Sequence, residues 1–495
     1  MKRITVAICI GVVALAAAGA VLYVALLPPS IPVPEQRNWI FRNVTLIEPG
    51  RPARPGRTLR IESGRIVSIS RSSVQTAATG RDEGGPAEAQ DLEGLYATPG
   101  LIDMHVHYPP AVAIGNRELW SLLFLAHGVT TVRETGSIDG SIFDVRAAIE
   151  RGESPGPRIF ACGRVLDGSP PSFPSNRIVT TPKEARQAVR DQAGAGADCI
   201  KAYNMLAAPV LAAIVDEARE LGLPVIGHVP HSVSFEEAGL VDLQHGTGAV
   251  VVDLEKIGRM DFRWEDWASV DDGRIRHVAH VSRGRDIAHT PTLVNGRMRE
   301  LLLDPVAGDA AMAADTGLRH LPRFWIGVWE TLWGPPYAPD DVKGAAATAY
   351  FRGRQAALAA GLHAAGVRVH AGTDTLMPYV APGSSLYGEL VDLRAAGIAA
   401  RDVWHIATRT AGLSLGGRIG TLAPGAPADL LFLRPGSGDD LPAFDRIEAV
   451  LANGRLYRRS DLEEALARLD GHFQGPLYET VMSAATRVVR GYFAP

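Results

Sequence analysis

Two histidines one residue apart close an apolar run, "GLIDMHVHYPP" at Gly100–Pro110. On a β-strand, residues i and i+2 point to the same face, so the imidazoles of His105 and His107 can converge on one ion. The chain has 14 histidines in 495 residues. Random placement at that frequency gives about 0.4 such pairs, so the pair decides nothing by itself. Four more residues able to ligate a metal or move a proton end other short apolar runs: Lys201 in "ADCIKAY", His228 in "LPVIGHV", His245 in "VDLQH" and Asp374 in "VRVHAGTD". Each alone has an ordinary reading: a hydrogen-bonded histidine, a salt-bridged lysine, a helix-capping aspartate. Coincidence across five strand ends is much harder to sustain. Neutral imidazoles and a carboxylate bind a borderline cation such as Zn²⁺ and can leave one position for water.

The elements that must gather these residues are short β-branched runs alternating with helices. Eight runs read as strands: "LIDMHVH", "GVTTVRE", "PRIFACG", "ADCIKAY", "LPVIGHV", "VDLQH", "IAHTPTL" and "VRVHAGTD". Helical runs such as "PKEARQAVRDQAG", "APVLAAIVDEARELG" and "SSLYGELVDLRAAG" separate most of them. The expected fold is α/β, a (β/α)8 TIM barrel over residues 98–416 with its reactive groups at the C-terminal strand ends. The long interval at about 294–367 reads as an insertion after the seventh strand. It holds Trp325, Trp329 and Trp333 near helical spacing, a pattern that suits core packing, with a lid or a membrane contact as alternatives. "WIFRNVTLIEPG" and "TLRIESGRIVSIS" before the barrel, and "ADLLFLRPG" and "IEAVLANGRLY" after it, alternate apolar and polar residues. They predict one small β-sandwich domain built from residues 41–97 and 417–460. A tail, 461–495, reads as helical and peripheral.

Ile4–Leu27 carries no charged residue and is long enough as a helix to cross about 30 Å of hydrocarbon. Residues 1–28 are therefore expected to be a membrane helix, followed by a stiff Pro-rich linker over 29–40. Lys2 and Arg3 keep the N-terminus cytoplasmic and place the catalytic domain on the extracytoplasmic side. Cleavage at Ala18-Gly19-Ala20 is the alternative and gives a secreted or periplasmic protein, but the apolar "VLYVALL" beyond it suits a retained anchor better. A net charge of −4 provides no basic footprint for nucleic acid. The expected partners are a small-molecule substrate and the membrane, with a homo-oligomer left open. Cys9, Cys162 and Cys199 make no disulfide framework.

The order HxH, Lys, His, His and Asp, with "TPGLIDMHVH" in front and "GTLAPGAPADLLFL" behind, resembles the metal-dependent amidohydrolase superfamily over roughly Asn43 to Tyr457. "HGVTTVRETG", "GADCIKAY", "GHVPH…LQHG" and "VHAGTDT" look like the branch of imidazolonepropionase-related enzymes and Xaa-Pro dipeptidases. The resemblance implies two divalent metal ions. His105, His107 and Asp374 would hold one, His228 and His245 the other, and a carboxylated Lys201, a carbamate formed from CO2, would bridge them. Zn²⁺ is favoured by ligand type, and Mn²⁺, Fe²⁺ and Co²⁺ remain compatible. It further implies hydrolysis of an amide C–N bond, in a dipeptide or an N-acyl amino acid, by a bridging hydroxide with Asp374 as general base. A lactonase, esterase or cyclic-amide hydrolase on the same site is the alternative, and a catalytically silent binding or scaffold relative is an alternative of another class. Tyr203, His231 and Arg133 are the substrate-binding candidates, with a structural ion pair as the second reading of Arg133. The superfamily often reads Arg-Asp where this chain has Arg133-Glu134, and often has histidine where "SLYGEL" has Tyr387. Both departures concern substrate recognition and not the metal ligands.

Overall fold

The computed structural model describes residues 19–72, 87–250, 267, 270–333, 341–436 and 444–493. Residues 19–26 are helical, and most of the expected membrane segment, residues 1–18, lies outside the described residues. Among the described residues no helix is long and apolar enough to cross a membrane.

The flanking regions form β1 (Trp39–Leu46), β2 (Arg54–Glu62), β3 (Arg65–Arg71), β4 (Glu88–Asp91) and β5 (Tyr96–Pro99) from the front of the chain. The barrel contributes β6 (Leu101–Val106), β7 (Val129–Glu134), β8 (Arg158–Ala161), β9 (Leu166–Asp167), β10 (Arg177–Ile178), β11 (Ile200–Ala202), β12 (Val225–Gly227), β13 (Asp242–Gln244) and β14 (Ala288–Thr290). After it come β15 (Leu430–Leu433), β16 (Ile447–Ala452) and β17 (Arg455–Arg458).

The two flanks join as expected, but in one sheet and not in two stacked sheets. Its order is β17-β16-β15-β5-β1-β2-β3, with β4 beside β1, and the join is the antiparallel pair β15–β5. The alternation of "LLFL" explains how this sheet is buried. Leu430 and Phe432 enter a core with Phe41 and Leu59, while Leu431 and Leu433 join the barrel's own core. Gly128, at φ +76°, permits that approach, since a Cβ there would lie 2.9 Å from Leu431 Cδ1.

β6 and β7 are buried at every position, so neither alternates apolar with polar residues. Parallel ladders join β6-β7-β8 and β11-β12-β13-β14. The eighth run does not make a full strand: Val369 pairs with His289 as a single bridge, and Met104 N donates to Ala371 O at 2.9 Å to close the ring. Between β8 and β11 the ladder also lapses. There Asp198 N donates to Ala161 O at 2.8 Å, and a buried disulfide joins Cys162 to Cys199, Cα atoms 4.4 Å apart. The sequence reading gave no disulfide; the fold creates it by setting the end of the third strand beside the start of the fourth. The helix Pro182–Gly194 shows how the local sequence sets an element. Thr181 Oγ1 caps Glu184 N, Glu184 answers onto Thr181 N, and Pro182 supplies the first turn.

The expected insertion is shorter than read. The helix Asp341–Ala364 packs on the preceding barrel helix, Asp272–Arg285, where Gly361 leaves room for Ile275, so it serves as the seventh barrel helix. What is inserted is the run of helices Met298–Leu303, Pro305–Ala314 and Phe324–Trp333. Trp325 and Trp329 are buried core residues, their indole N–H groups donating to Asn116 Oδ1 at 2.9 Å and Leu376 O at 3.2 Å. The side chain of Trp333 lies outside the described residues. The tail is helical, Arg459–Phe473 and Pro476–Phe493, but it is not peripheral. Leu462, Leu466, Leu469, Phe473 and Tyr478 are buried in the main core.

Inside the barrel Arg133 is buried. It donates to Asp242 Oδ2 at 2.6 Å and to Met104 O at 2.9 Å. Asp242 also accepts from His370 Nδ1 at 2.9 Å. The substrate role expected for Arg133 therefore gives way to an interior ion pair. Burial pushes the Asp242 carboxyl up, but Arg133 and His370 outweigh it and hold the group below the usual aspartate range.

Two outcomes follow from these contacts. Replacing both Cys162 and Cys199 by alanine opens a link of sequence separation 37. The loss should be about 3–4 kcal/mol in a denaturant titration, and an unchanged midpoint would deny the bond a stabilising role. Arg133→Met strands Asp242 in the interior and should cost on the order of 3–5 kcal/mol. A depressed carboxylate stabilises above its unfolded pKa, so the wild-type chain should weaken as pH falls below about 4. Asp242→Asn should flatten that acid limb.

Candidate metal centre

His105 lies near the end of β6 and His107 directly follows it, Lys201 lies in β11, and His228 and His245 directly follow β12 and β13. Asp374 follows the eighth strand segment. The barrel brings all six to one end. Asp374 Oδ1 lies 3.3 Å from His105 Nε2 and 3.1 Å from His107 Nε2, and Asp374 Oδ2 lies 3.6 Å from His245 Nε2. Among the described residues, His105, His245 and Asp374 place their ligand atoms within 4.8 Å of one another. The ring of His228 sits 5.1 Å from that of His245, and its Nε2 is buried without a hydrogen-bond partner.

Each imidazole is oriented by an acceptor behind it. His105 Nδ1 donates to Gln244 Oε1 at 2.5 Å, whose own amide nitrogen is spent on Asp242. His107 Nδ1 donates to Gly136 O at 2.8 Å and His228 Nδ1 to Asn204 Oδ1 at 2.8 Å. His245 Nδ1 donates to Thr292 Oγ1 at 2.5 Å. The protons are thereby held on the four Nδ1 atoms, and the four Nε2 lone pairs are left for a cation. Burial lowers the pKa values of His105, His228 and His245, the last to about 4, and so keeps them neutral. For His107, burial acts the same way, but its bond to Asp374 outweighs it and raises the value.

Lys201 is buried, and among the described residues no carboxylate comes within ion-pair reach of its amine. Burial pushes that amine down to about 7, against the pull of Asp374. A buried imidazole nitrogen without a partner, three rings that burial keeps neutral and a deprotonatable lysine are the donor set a divalent site requires, and the residues fit one.

The neighbouring residues divide. Tyr203 stacks on His228 with centroids 4.3 Å apart, and burial raises its phenol so that it stays protonated. His231 is half-buried and its Nδ1 has no partner. Tyr387 turns away from the centre and donates to His127 O at 3.0 Å. Glu134 is buried beside His107; burial raises it to about 8, and its Oε2 has no partner.

Several residues that hold the centre were not singled out in the sequence. Asp103 accepts from Thr373 N, Thr373 Oγ1 and His105 N, tying the strands that carry His105 and Asp374. Gln244, Asn204, Thr292 and Asn295 hydrogen-bond to His105, His228, His245 and Asp374 respectively. The one available signal was that Gln244 and Asn204 lie within three residues of His245 and Lys201. His245, Thr292 and Asp374 also take φ of +59°, +50° and +62°, conformations that non-glycine residues adopt at a cost and that gather at functional sites.

Residues 96–262 match the amidohydrolase family. The urease alpha subunit of Natronomonas pharaonis is 29% identical over 99 residues, which make up 19% of this chain and 16% of that subunit. The chain thus spans about a sixth of that relative's length. Among solved structures, a bottromycin amidohydrolase superposes with a TM-score of 0.69 at 25% identity, covering 88% of this chain and 91% of that one. A candidate prolidase from Bifidobacterium longum superposes with a TM-score of 0.62 at 24% identity, covering 89% and 100%. Residues 96–262, which match the amidohydrolase family, hold five of the six expected ligands, and the fold that carries them is similar to that of a solved bottromycin amidohydrolase.

Proposed function

We propose that the chain is a metal-dependent hydrolase of an amide C–N bond, in a dipeptide or an N-acyl amino acid. The observation that carries this is the set of four imidazoles with acceptors at Nδ1, of which three turn Nε2 toward Asp374 and the fourth, His228, keeps a buried Nε2 without a partner. The match to the amidohydrolase family and the likeness to a bottromycin amidohydrolase support the bond type.

His105, His107 and Asp374 would hold one divalent ion, and His228 and His245 a second, with Zn²⁺ favoured by the donors. Lys201 would bridge them as a carbamate; an amine that loses its proton near pH 7 can add to CO2. Such ions, when bound, activate water at neutral pH and polarise a carbonyl. Asp374 would take the proton from that water and deliver it to the departing nitrogen. Burial pushes its carboxyl up, but the surrounding imidazoles outweigh this and keep it ionised. Tyr203, protonated and next to His228, would donate to the oxygen that gains charge, and His231 would meet the substrate beyond it. The domain would work on the extracytoplasmic side, membrane-held or released by cleavage. A disulfide at Cys162–Cys199 suits an oxidising compartment.

The full chain, loaded with Zn²⁺ and offered Xaa-Pro dipeptides, N-acyl amino acids and lactones, should hydrolyse an amide and lose the activity to a chelator. Turnover of lactones alone would replace the amide reading, and a metal-loaded chain with no turnover would favour a binding protein. Asp374→Asn should lower kcat by about 10²–10⁴-fold while much of the metal stays bound; an unchanged rate removes Asp374 from proton transfer. Lys201→Ala should lose metal and recover part of its activity in short-chain carboxylic acids. Full metal and activity without them would exclude the bridging role.

A further inference from the structure

The segment that follows β14 touches the centre twice. Thr292 Oγ1 gives its single proton to Pro291 O at 2.8 Å, so toward His245 Nδ1, 2.5 Å away, it can only accept. Three residues on, Asn295 Nδ2 donates to Asp374 Oδ2 at 2.9 Å. Asp374 Oδ1 faces His105 and His107, so the Asn295 bond falls on the other oxygen and fixes the plane of the carboxylate. The segment is itself held from behind. Glu389, fully buried on the helix Ser384–Ala395, accepts from Val294 N at 2.8 Å, between the two contact residues. Thr292 takes φ +50°, a conformation that a threonine keeps only where its surroundings impose it.

We propose that Thr292 and Asn295 are positioning residues for the reaction: Thr292 sets the tautomer and tilt of His245, and Asn295 holds Asp374 in the orientation that transfers the proton. Glu389 pins the segment so that the two act together. The inference rests on the metal-hydrolase reading and adds to it a part of the chain outside the expected ligand set. A ligand freed from its orienting partner typically loses about 10–100-fold in metal affinity or activity.

The test uses the full chain loaded with Zn²⁺. Thr292→Val, which keeps the shape and removes the acceptor, should lose Zn²⁺ to a chelator about 10–100-fold faster, and Thr292→Ser should restore retention. Asn295→Leu should keep its Zn²⁺ and leave KM within about threefold while kcat drops about 10–100-fold. A uniform loss of fold would instead lower both metal retention and thermal midpoint in Asn295→Leu. That result, or variants that match the wild type in retention and kcat, overturns the inference alone. A wild-type chain that takes up no Zn²⁺ overturns the function reading beneath it.

Discussion

A divalent cation requires a bare nitrogen aimed at it, and an imidazole decides which nitrogen is bare by where its other one finds an acceptor. In this chain that decision is never made locally. His105, on the first barrel strand, is set by Gln244 on the sixth; His228, after the fifth, by Asn204 after the fourth; His245, after the sixth, by Thr292 after the seventh. His228 and His245 take their acceptors from the adjacent strand, whereas His105 takes its own from across the barrel, a partner that only ring closure supplies. The closed cylinder is thus a condition of the chemistry as well as a scaffold, because an open sheet would leave His105 free to choose the wrong tautomer.

The same dependence extends below the centre. Gln244 is held by Asp242, which is balanced by Arg133 and His370 inside the barrel. Burying these charges is expensive, and an apolar filling would pack the interior at less cost. What the polar filling contributes is direction, since a carboxylate with fixed donors leaves Gln244 one orientation and so leaves His105 one tautomer. The positive φ of His245 and Asp374 belongs to the same arrangement: their backbone N–H groups donate to Thr290 O and His105 O, and these bonds offset the conformational cost.

The first seven strands and helices such as Pro182–Gly194 and Ala208–Glu220 were readable because their signals are local. β-branched runs, Pro at a first turn and a Thr-x-x-Glu cap act within a few residues. That the six candidate residues gather at one end was legible because each ends such a run. What could not be read depends on pairing across the chain. The Cys162–Cys199 bond needs the third and fourth strands side by side, and nothing in either cysteine's neighbourhood predicts it. Arg133 ends a strand like the ligands do, and only the structure shows its guanidinium turned inward onto Asp242. The insertion was drawn too long because a barrel helix that follows extra helices carries no mark of its own. The eighth strand was read as a full one because its composition suits β structure, although only Val369 makes a bridge.

The tail and the linker meet beside the helix Asn116–Ala126. His472 donates to Leu26 O at 3.1 Å, and Gly115, at φ +76°, stands where any side chain would strike Pro28 and Phe473. Leu26 is buried, although the residues just before it are exposed. The packing that the globule needs at its front therefore begins at Leu26. Anyone trimming the front of this protein to ease purification would do well to stop there, since a cut at the end of the proline-rich stretch would uncover the aromatic seam that ties the last two helices to the barrel.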